Sequence, residues 1–176
     1  MASELRVDKI VPTTGVPTSG GGGIIQMVYA THDGSAHYTA TSGSWTVLTS
    51  SGSPSPFELN ITPKFNTSLI FVQYSGCGQQ VNTQATNSAL SVFRTVSGGS
   101  AVNLGHNTCG LASIGDYSAS GSVYATGSMH FHVIDAPSTT NSVNYKLYGK
   151  TQNGSGTAYP IHSQVRATLV AMEVSA

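Results

Sequence analysis

The residues whose spacing could support chemistry begin with His130 and His132, which stand two positions apart. The segment around them alternates apolar and polar residues, so a strand there would place both imidazoles on one face. If three copies met on a threefold axis, six imidazoles would converge, a number that suits an octahedral transition-metal ion. A single His-x-His pair is a weak signal for a metal site and is more often two exposed or interface histidines. We therefore expect no resident cofactor. If a metal ion binds at a trimer axis, His130 and His132 are its candidate ligands.

Signatures of catalysis are absent from the sequence, which contains no Gly-x-Ser-x-Gly and no His-Glu-x-x-His motif. A glycosidase would need a pair of carboxylates flanking the bond that it cleaves. The residue pattern predicts that Glu58 and Glu173 point outward from strands. It also predicts that Asp33, Asp116 and Asp135 form turns. We therefore expect a protein that is not an enzyme.

The composition indicates a protein that works in an assembly. Only 8% of the 176 residues are charged, and seven basic residues cancel seven acidic ones, whereas about 25% is usual. Nucleic acids and anionic membranes require a basic patch, and a membrane span requires about 20 consecutive apolar residues. We therefore expect neither a nucleic-acid partner nor membrane insertion. A neutral surface with few charges is poorly soluble on a free monomer but suits subunit contacts.

Residues 1–23 differ from the remainder of the chain. Prolines and a run of four glycines at 20–23 disfavour both helix and sheet, and a glycine run is typical of a hinge. We predict an extended N-terminal attachment arm over 1–23 and a head domain over 24–176. The docking residues of the arm are its aliphatic side chains, Leu5, Val7, Ile10 and Val11.

From residue 24 onward the apolar residues recur at every second position, which is the period of strands. About eight segments show this pattern: 24–30, 45–48, 57–61, 69–74, 90–93, 122–134, 143–148 and 165–174. Turn signals separate them at 33–34, 53–56, 97–99, 135–137 and 153–154. The pattern predicts an all-β fold, a two-sheet antiparallel jelly-roll-like sandwich. We expect 122–134 to be the longest strand and 69–74, apolar on both faces, to be central.

Aromatic side chains and long loops suggest a second hypothesis, carbohydrate binding. Loops predicted at 79–87, 103–117 and 152–162 are long enough to carry a site. Aromatic rings that could stack on sugars are Trp45, Tyr117, Tyr124, Tyr148 and Tyr159. For any single one of these tyrosines, packing at a sheet edge or subunit face is the more common role. Cys77 and Cys109 form no Cys-x-x-Cys pair, and we expect two buried or partly buried thiols.

Several segments resemble structural proteins of tailed bacteriophages. Residues 3–12, the glycine run and residues 24–26 resemble the start of virion proteins of cyanophages and other marine phages. Residues 59–68, 135–140 and 168–174 resemble the small β-sandwich domains of phage fibres and spikes. The resemblance implies a homotrimer in the virion. Its arm would attach to other virion proteins of the capsid or tail, and its head would face the host.

Three functions remain open at this point. The first is a short trimeric fibre or spike subunit whose head contacts the host, with a cell-surface glycan as candidate partner. The second is a capsid-decorating protein that stabilises the shell. The third is a non-catalytic carbohydrate-binding module. The resemblance favours the first, whereas the small size and the absence of a shaft-forming repeat favour the second.

Overall fold

The computed structural model of the protein describes residues 23–50, 53–82, 87–115, 123–151 and 157–175. Within these ranges the chain forms strands and no α-helix, and therefore no helix that could cross a membrane. The strands are β1 (Ile24–His32), β2 (Tyr38–Ala40), β3 (Thr46–Val47), β4 (Thr49–Ser50), β5 (Ser53–Pro56), β6 (Glu58–Ile61), β7 (Leu69–Asn82), β8 (Asn87–Val96), β9 (Val102–Asn103), β10 (Ala112–Gly115), β11 (Val123–Asp135), β12 (Val143–Thr151), β13 (Thr157–Ile161) and β14 (Ala167–Val174).

The strands form two antiparallel sheets. Sheet 1 has eight strands in the order β1-β14-β7-β13-β2-β4-β5, and β11 pairs with the other side of β7. Sheet 2 contains β10-β8-β12-β3, with β6 also paired to β12 and β9 to β8. Strand β7 is central because β14 and β13 share one side of it and β11 follows its other side from Ile70 to Asn82. The predictions of an all-β sandwich and of a central strand at 69–74 are confirmed.

The core lies between the sheets and follows the period of two. Inward positions of sheet 1 include Ile70, Val72 and Tyr74 on β7, and inward positions of sheet 2 include Val143 and Leu147 on β12. All five side chains are buried and belong to one hydrophobic cluster. Burying each side chain of this size contributes about 1.5–3 kcal/mol. The alternating pattern thus directs one side of each sheet to the core.

The longest described strand is β7, with 14 residues against 13 in β11, so the predicted ranking was wrong. The cause is the Gly76-Cys77-Gly78 segment, which interrupts the apolar alternation in the sequence. A Cβ atom at Gly76 would collide with the Tyr74 side chain, and one at Gly78 would collide with Met129. These glycines make room for large core side chains, and the strand continues through them.

Other predicted turns and loops also contain strands. The proline-containing segment 53–56 forms β5, the last strand of sheet 1, where prolines are tolerated because one edge needs no donors. The predicted loops at 79–87, 103–117 and 152–162 contain the end of β7, β10 and β13. The arm through residue 22, the turn at 153–154, Asp116 and Tyr117 lie outside the described residues.

The two cysteines remain thiols. Cys77 is partly buried, as expected, but Cys109 is exposed. Its exposure follows from a tight turn in which His106 and Gly110 exchange backbone hydrogen bonds of 3.1 and 2.8 Å. A side chain at the tip of such a turn projects into solvent.

Asp135 does not form a turn but lies buried at the end of β11, contrary to the sequence prediction. Its carboxylate accepts hydrogen bonds from Arg94 Nη1 on β8 and from the Tyr145 hydroxyl on β12, both at 2.7 Å. Asp135 is 6% exposed and Arg94 is 22% exposed. Burial, and then the hydrogen bond to Asp135, raises the pKa of Tyr145 far above its usual range. This cluster ties sheet 1 to sheet 2.

Glu173 was also predicted wrongly, because its side chain points inward from β14 and is fully buried. Its carboxylate accepts hydrogen bonds from Gln26 Nε2 at 2.6 Å, the Lys64 amide at 2.6 Å and the Phe65 amide at 3.4 Å. Burial alone would raise the pKa of this carboxyl, but these hydrogen bonds outweigh it and hold the pKa below its usual value. Glu173 therefore fastens the turn after β6 to the sheet.

We predict that Glu173→Gln destabilises the protein at neutral pH by about 1.5–3 kcal/mol, the usual contribution of hydrogen bonds to a charged group. Because the native pKa is lowered, the contribution of the carboxylate is complete above the unfolded-state pKa and disappears as pH falls through the native value. Thermal unfolding should therefore differ between wild type and variant at neutral pH and converge in strong acid. A constant difference across this range would contradict the assignment.

Candidate assembly surface

The outward side chains of β1, β14, β7 and β11 form continuous rows across sheet 1. Strand register aligns the residues of each row directly opposite one another. The first row is Met27, Met172, Phe71 and Ile134. The second row is Tyr29, Val170, Gln73 and His132. The third row is Thr31, Thr168, Ser75 and His130. We call these three rows the outer face of sheet 1.

The outer face of sheet 1 is apolar at one end and uncharged throughout. Met27, Tyr29 and Ile134 are 56%, 66% and 64% exposed, and none of the residues in the three rows is Asp, Glu, Lys or Arg. Phe71 and Ile134 of the first row also line a shallow cleft with Leu69 and Val174. Large apolar side chains would not be needed on this side of the strands if it only faced water.

The outer face of sheet 1 is comparable in size with the largest surface patch of a typical monomer, and six of its twelve residues are apolar. Seven paired residues along β7 and β14, at about 3.3 Å each, and four strands about 4.8 Å apart give a projected area of roughly 440 Å². The largest apolar patch on a typical monomer covers about 300–600 Å² and is often functional. A specific interface needs about 800 Å² per partner, so a stable contact would include polar neighbours of the rows.

His130 and His132 occupy the positions that the sequence predicted. Both are exposed on the same face of β11, and the His132 ring stacks on Phe71 at 5.7 Å between centroids and 18° between planes. Within one copy, the described residues contain no group of three or more His, Cys, Asp or Glu that could hold a metal ion. A metal site on a threefold axis would need further copies and stays a prediction.

The structure brings two of the aromatic candidates together and separates a third. Trp45 and Tyr148 both contact Phe93 on the outward side of sheet 2. Tyr159 instead packs on His37, with ring centroids 4.3 Å apart. Phe93 was not among the sequence candidates because a single Phe in an alternating strand carries no signal of its own. The side chain of Tyr124, like Tyr117, lies outside the described residues.

A serine and a histidine also meet, at His37 and Ser163. The Ser163 amide donates to His37 Nδ1 at 3.1 Å, and Ser163 Oγ lies 3.2 Å from His37 Nε2. Since Nδ1 accepts, the proton of the neutral ring resides on Nε2, which then cannot take a proton from Ser163. Burial, and then the neighbouring His162, lowers the pKa of His37. This geometry orders the turn after β13 rather than activating a nucleophile.

Comparisons with known proteins identify no family for this chain. No protein-family model matches the chain, and no curated protein matches it. Among solved structures, it is similar to a chain in the structure of infectious bursal disease virus, Gx strain, at 11% identity and a TM-score of 0.38. The alignment covers 99% of this chain and 44% of the viral chain, so this protein spans less than half the length of that chain.

Proposed function

We propose that this protein is a non-catalytic structural subunit of a tailed-phage virion that assembles as a homotrimer through the outer face of sheet 1. The observation that carries the proposal is the row of Met27, Phe71 and Ile134, of which Met27 and Ile134 are exposed, on a face without charged residues. Identical copies brought together on such a face meet no like-charge repulsion. Covering it would also remove apolar area from water, at about 25 cal/mol per Å².

The number of copies and the location in the virion rest on the resemblance of the sequence to phage fibre and spike domains. In this proposal the N-terminal arm docks the trimer to the capsid or tail through Leu5, Val7, Ile10 and Val11, all outside the described residues. The head is host-facing, as in a short fibre or spike. Sheet 2, on the opposite side of the sandwich from the proposed contact, would remain available to the host surface.

A capsid-decorating protein is the second candidate. The compact two-sheet head and the absence of a shaft-forming repeat in the sequence favour it. The two candidates share the trimer and the arm and differ in location and in whether the head contacts the host. Labelling of intact particles separates them, because a decorating protein lies on capsid symmetry positions and a fibre or spike subunit at the tail.

We predict that deleting residues 1–23 leaves a folded, trimeric head that no longer enters virions. The head retains both sheets and the core, because the deletion ends before β1, whereas the aliphatic docking residues are lost. The measurements are mass in solution at micromolar concentration and the amount of truncated protein in purified particles.

Two results would contradict parts of this proposal. A wild-type monomer at micromolar concentration would overturn the trimer. Incorporation of the truncated head at the wild-type level would place the docking surface on the sandwich instead of the arm. As a matched control, the full chain carrying Val102→Asp, a change on sheet 2, should still trimerise and incorporate.

A further inference from the structure

Three aromatic rings form a cluster on the outward side of sheet 2. Phe93 and Tyr148 stack with centroids 4.0 Å apart and planes 24° apart, and Trp45 meets Phe93 edge-on at 5.9 Å. Phe93 and Tyr148 alternate with the core residues Val92 and Leu147 of the same strands, so their side chains point away from the core. All three rings are partly exposed. We call Trp45, Phe93 and Tyr148 the aromatic cluster.

Polar contacts hold Trp45 in place within the aromatic cluster. Its indole N–H donates to the backbone carbonyl oxygen of Asn107 at 2.9 Å, and Lys150 Nζ donates to the same oxygen at 2.9 Å. Lys150 Nζ also lies 5.0 Å from the centre of the indole ring, within the range of a cation–π interaction. Ordering of this ring before any ligand arrives reduces the entropy that binding would cost.

A strip of polar groups continues from the aromatic cluster along β12. Lys146 and Glu58, 28% and 31% exposed, form an ion pair of 2.8 Å. The next outward residue, Asn144, donates to Glu58 Oε2 and to Asn60 Oδ1, both at 3.1 Å. The strip therefore presents an ammonium group, a carboxylate and two amides beside aromatic rings, with the charges of Lys146 and Glu58 balanced.

We propose that the aromatic cluster and this polar strip form a saccharide-binding site. Sugars combine apolar C–H faces, which pack on aromatic rings, with hydroxyls that hydrogen-bond to carboxylate and amide groups. A nucleic acid would require a basic surface. Here Glu58 cancels Lys146, and Lys150, which is buried beside Trp45, is one positive charge and not a basic patch. The site lies on the sheet opposite the proposed assembly surface. It deepens the host-facing role of the head and rests on the proposed function for its biological role, although binding itself is a property of one copy.

Trp45 is the only tryptophan of the chain, so its fluorescence reports directly on the site. The probe is a panel of oligosaccharides of glucose, galactose and N-acetylglucosamine, titrated into the full-length protein with calorimetry in parallel. At least one series should shift the emission of Trp45 and bind with a measurable Kd. Tyr148→Ala should weaken that binding at least tenfold, while Tyr148→Phe, which keeps the stacked ring, should stay within about threefold of wild type.

The matched control is Tyr159→Ala, because Tyr159, on β13 of sheet 1, packs on His37 and not on the aromatic cluster. It should bind the same oligosaccharide as tightly as wild type. If no oligosaccharide of the panel binds by either method, the inference is overturned. It is also overturned if Tyr148→Ala binds as tightly as wild type. An absence of binding would mean that the rings only support the loop at 104–111, where Gly110 lies against Trp45. Trimer mass and particle incorporation test the proposed function separately, so failure of one proposal is distinguishable from failure of the other.

Discussion

Phe71→Asp should convert the proposed trimer into monomers. Phe71 lies in the middle of the first row of the outer face of sheet 1, between Met172 and Ile134. Because its side chain points away from the core, the fold should tolerate the change. In an assembly that covers this row, each copy would bury a carboxylate without a partner, which costs several kcal/mol. The association constant should therefore fall by at least about 100-fold.

The measurement for Phe71→Asp is mass in solution over a range of micromolar concentrations, with circular dichroism to verify the fold. Val102→Asp is the matched control, since Val102 is 45% exposed on β9 of sheet 2 and gains the same charge. It should remain assembled. If Phe71→Asp assembles as well as Val102→Asp does, the copies meet through another surface and the outer face of sheet 1 has a different role.

Asp135→Ala should produce the largest loss of stability among single changes at described polar residues. The substitution removes the carboxylate that pairs with Arg94 and accepts from the Tyr145 hydroxyl. A partly buried guanidinium and a buried hydroxyl would then lack their partner, which typically costs about 3–5 kcal/mol. At roughly 2–4 °C per kcal/mol for a chain of this size, Tm should fall by about 6–20 °C.

The matched control for Asp135→Ala is Glu58→Ala, which breaks the half-exposed ion pair with Lys146. Exposed pairs contribute at most about 1 kcal/mol, so this change should lower Tm by only a few degrees. Thermal unfolding of both variants at neutral pH provides the comparison. Similar small shifts in the two proteins would mean that the Arg94–Asp135–Tyr145 cluster does not connect the sheets energetically.

The outward and inward directions of several strands were predictable because alternation is a local property. Residues 57–61 and 143–148 alternate regularly in the sequence, and Leu59, Ile61 and Leu147 are buried as that pattern requires. His130 and His132 share a face for the same reason. Composition likewise indicated that the surface carries few charges.

The local sequence pattern gave wrong predictions for polar residues and glycines whose positions depend on contacts with residues distant in the sequence. Asp135 resembles the start of a turn, but Arg94 and Tyr145 from the other sheet hold it in the core. Glu173 sits in a strand that ends the chain, and its partners lie near residues 26 and 64. Gly76 and Gly78 resemble a break, yet they accommodate Tyr74 and Met129.

The sequence by itself therefore determined most of the long strands, the sandwich class and the scarcity of charge, because each follows from residue type and spacing of two. It missed short strands such as β2, β5, β10 and β13. Only the tertiary structure decided which of these residues meet. Pairing of β1 and β11 with the β14–β7 pair aligned Met27, Met172, Phe71 and Ile134 into one row, although they span more than 100 positions of the chain. Strand register is set by packing of the whole core and turns, so no local pattern could reveal either this row or the convergence of Trp45, Phe93 and Tyr148.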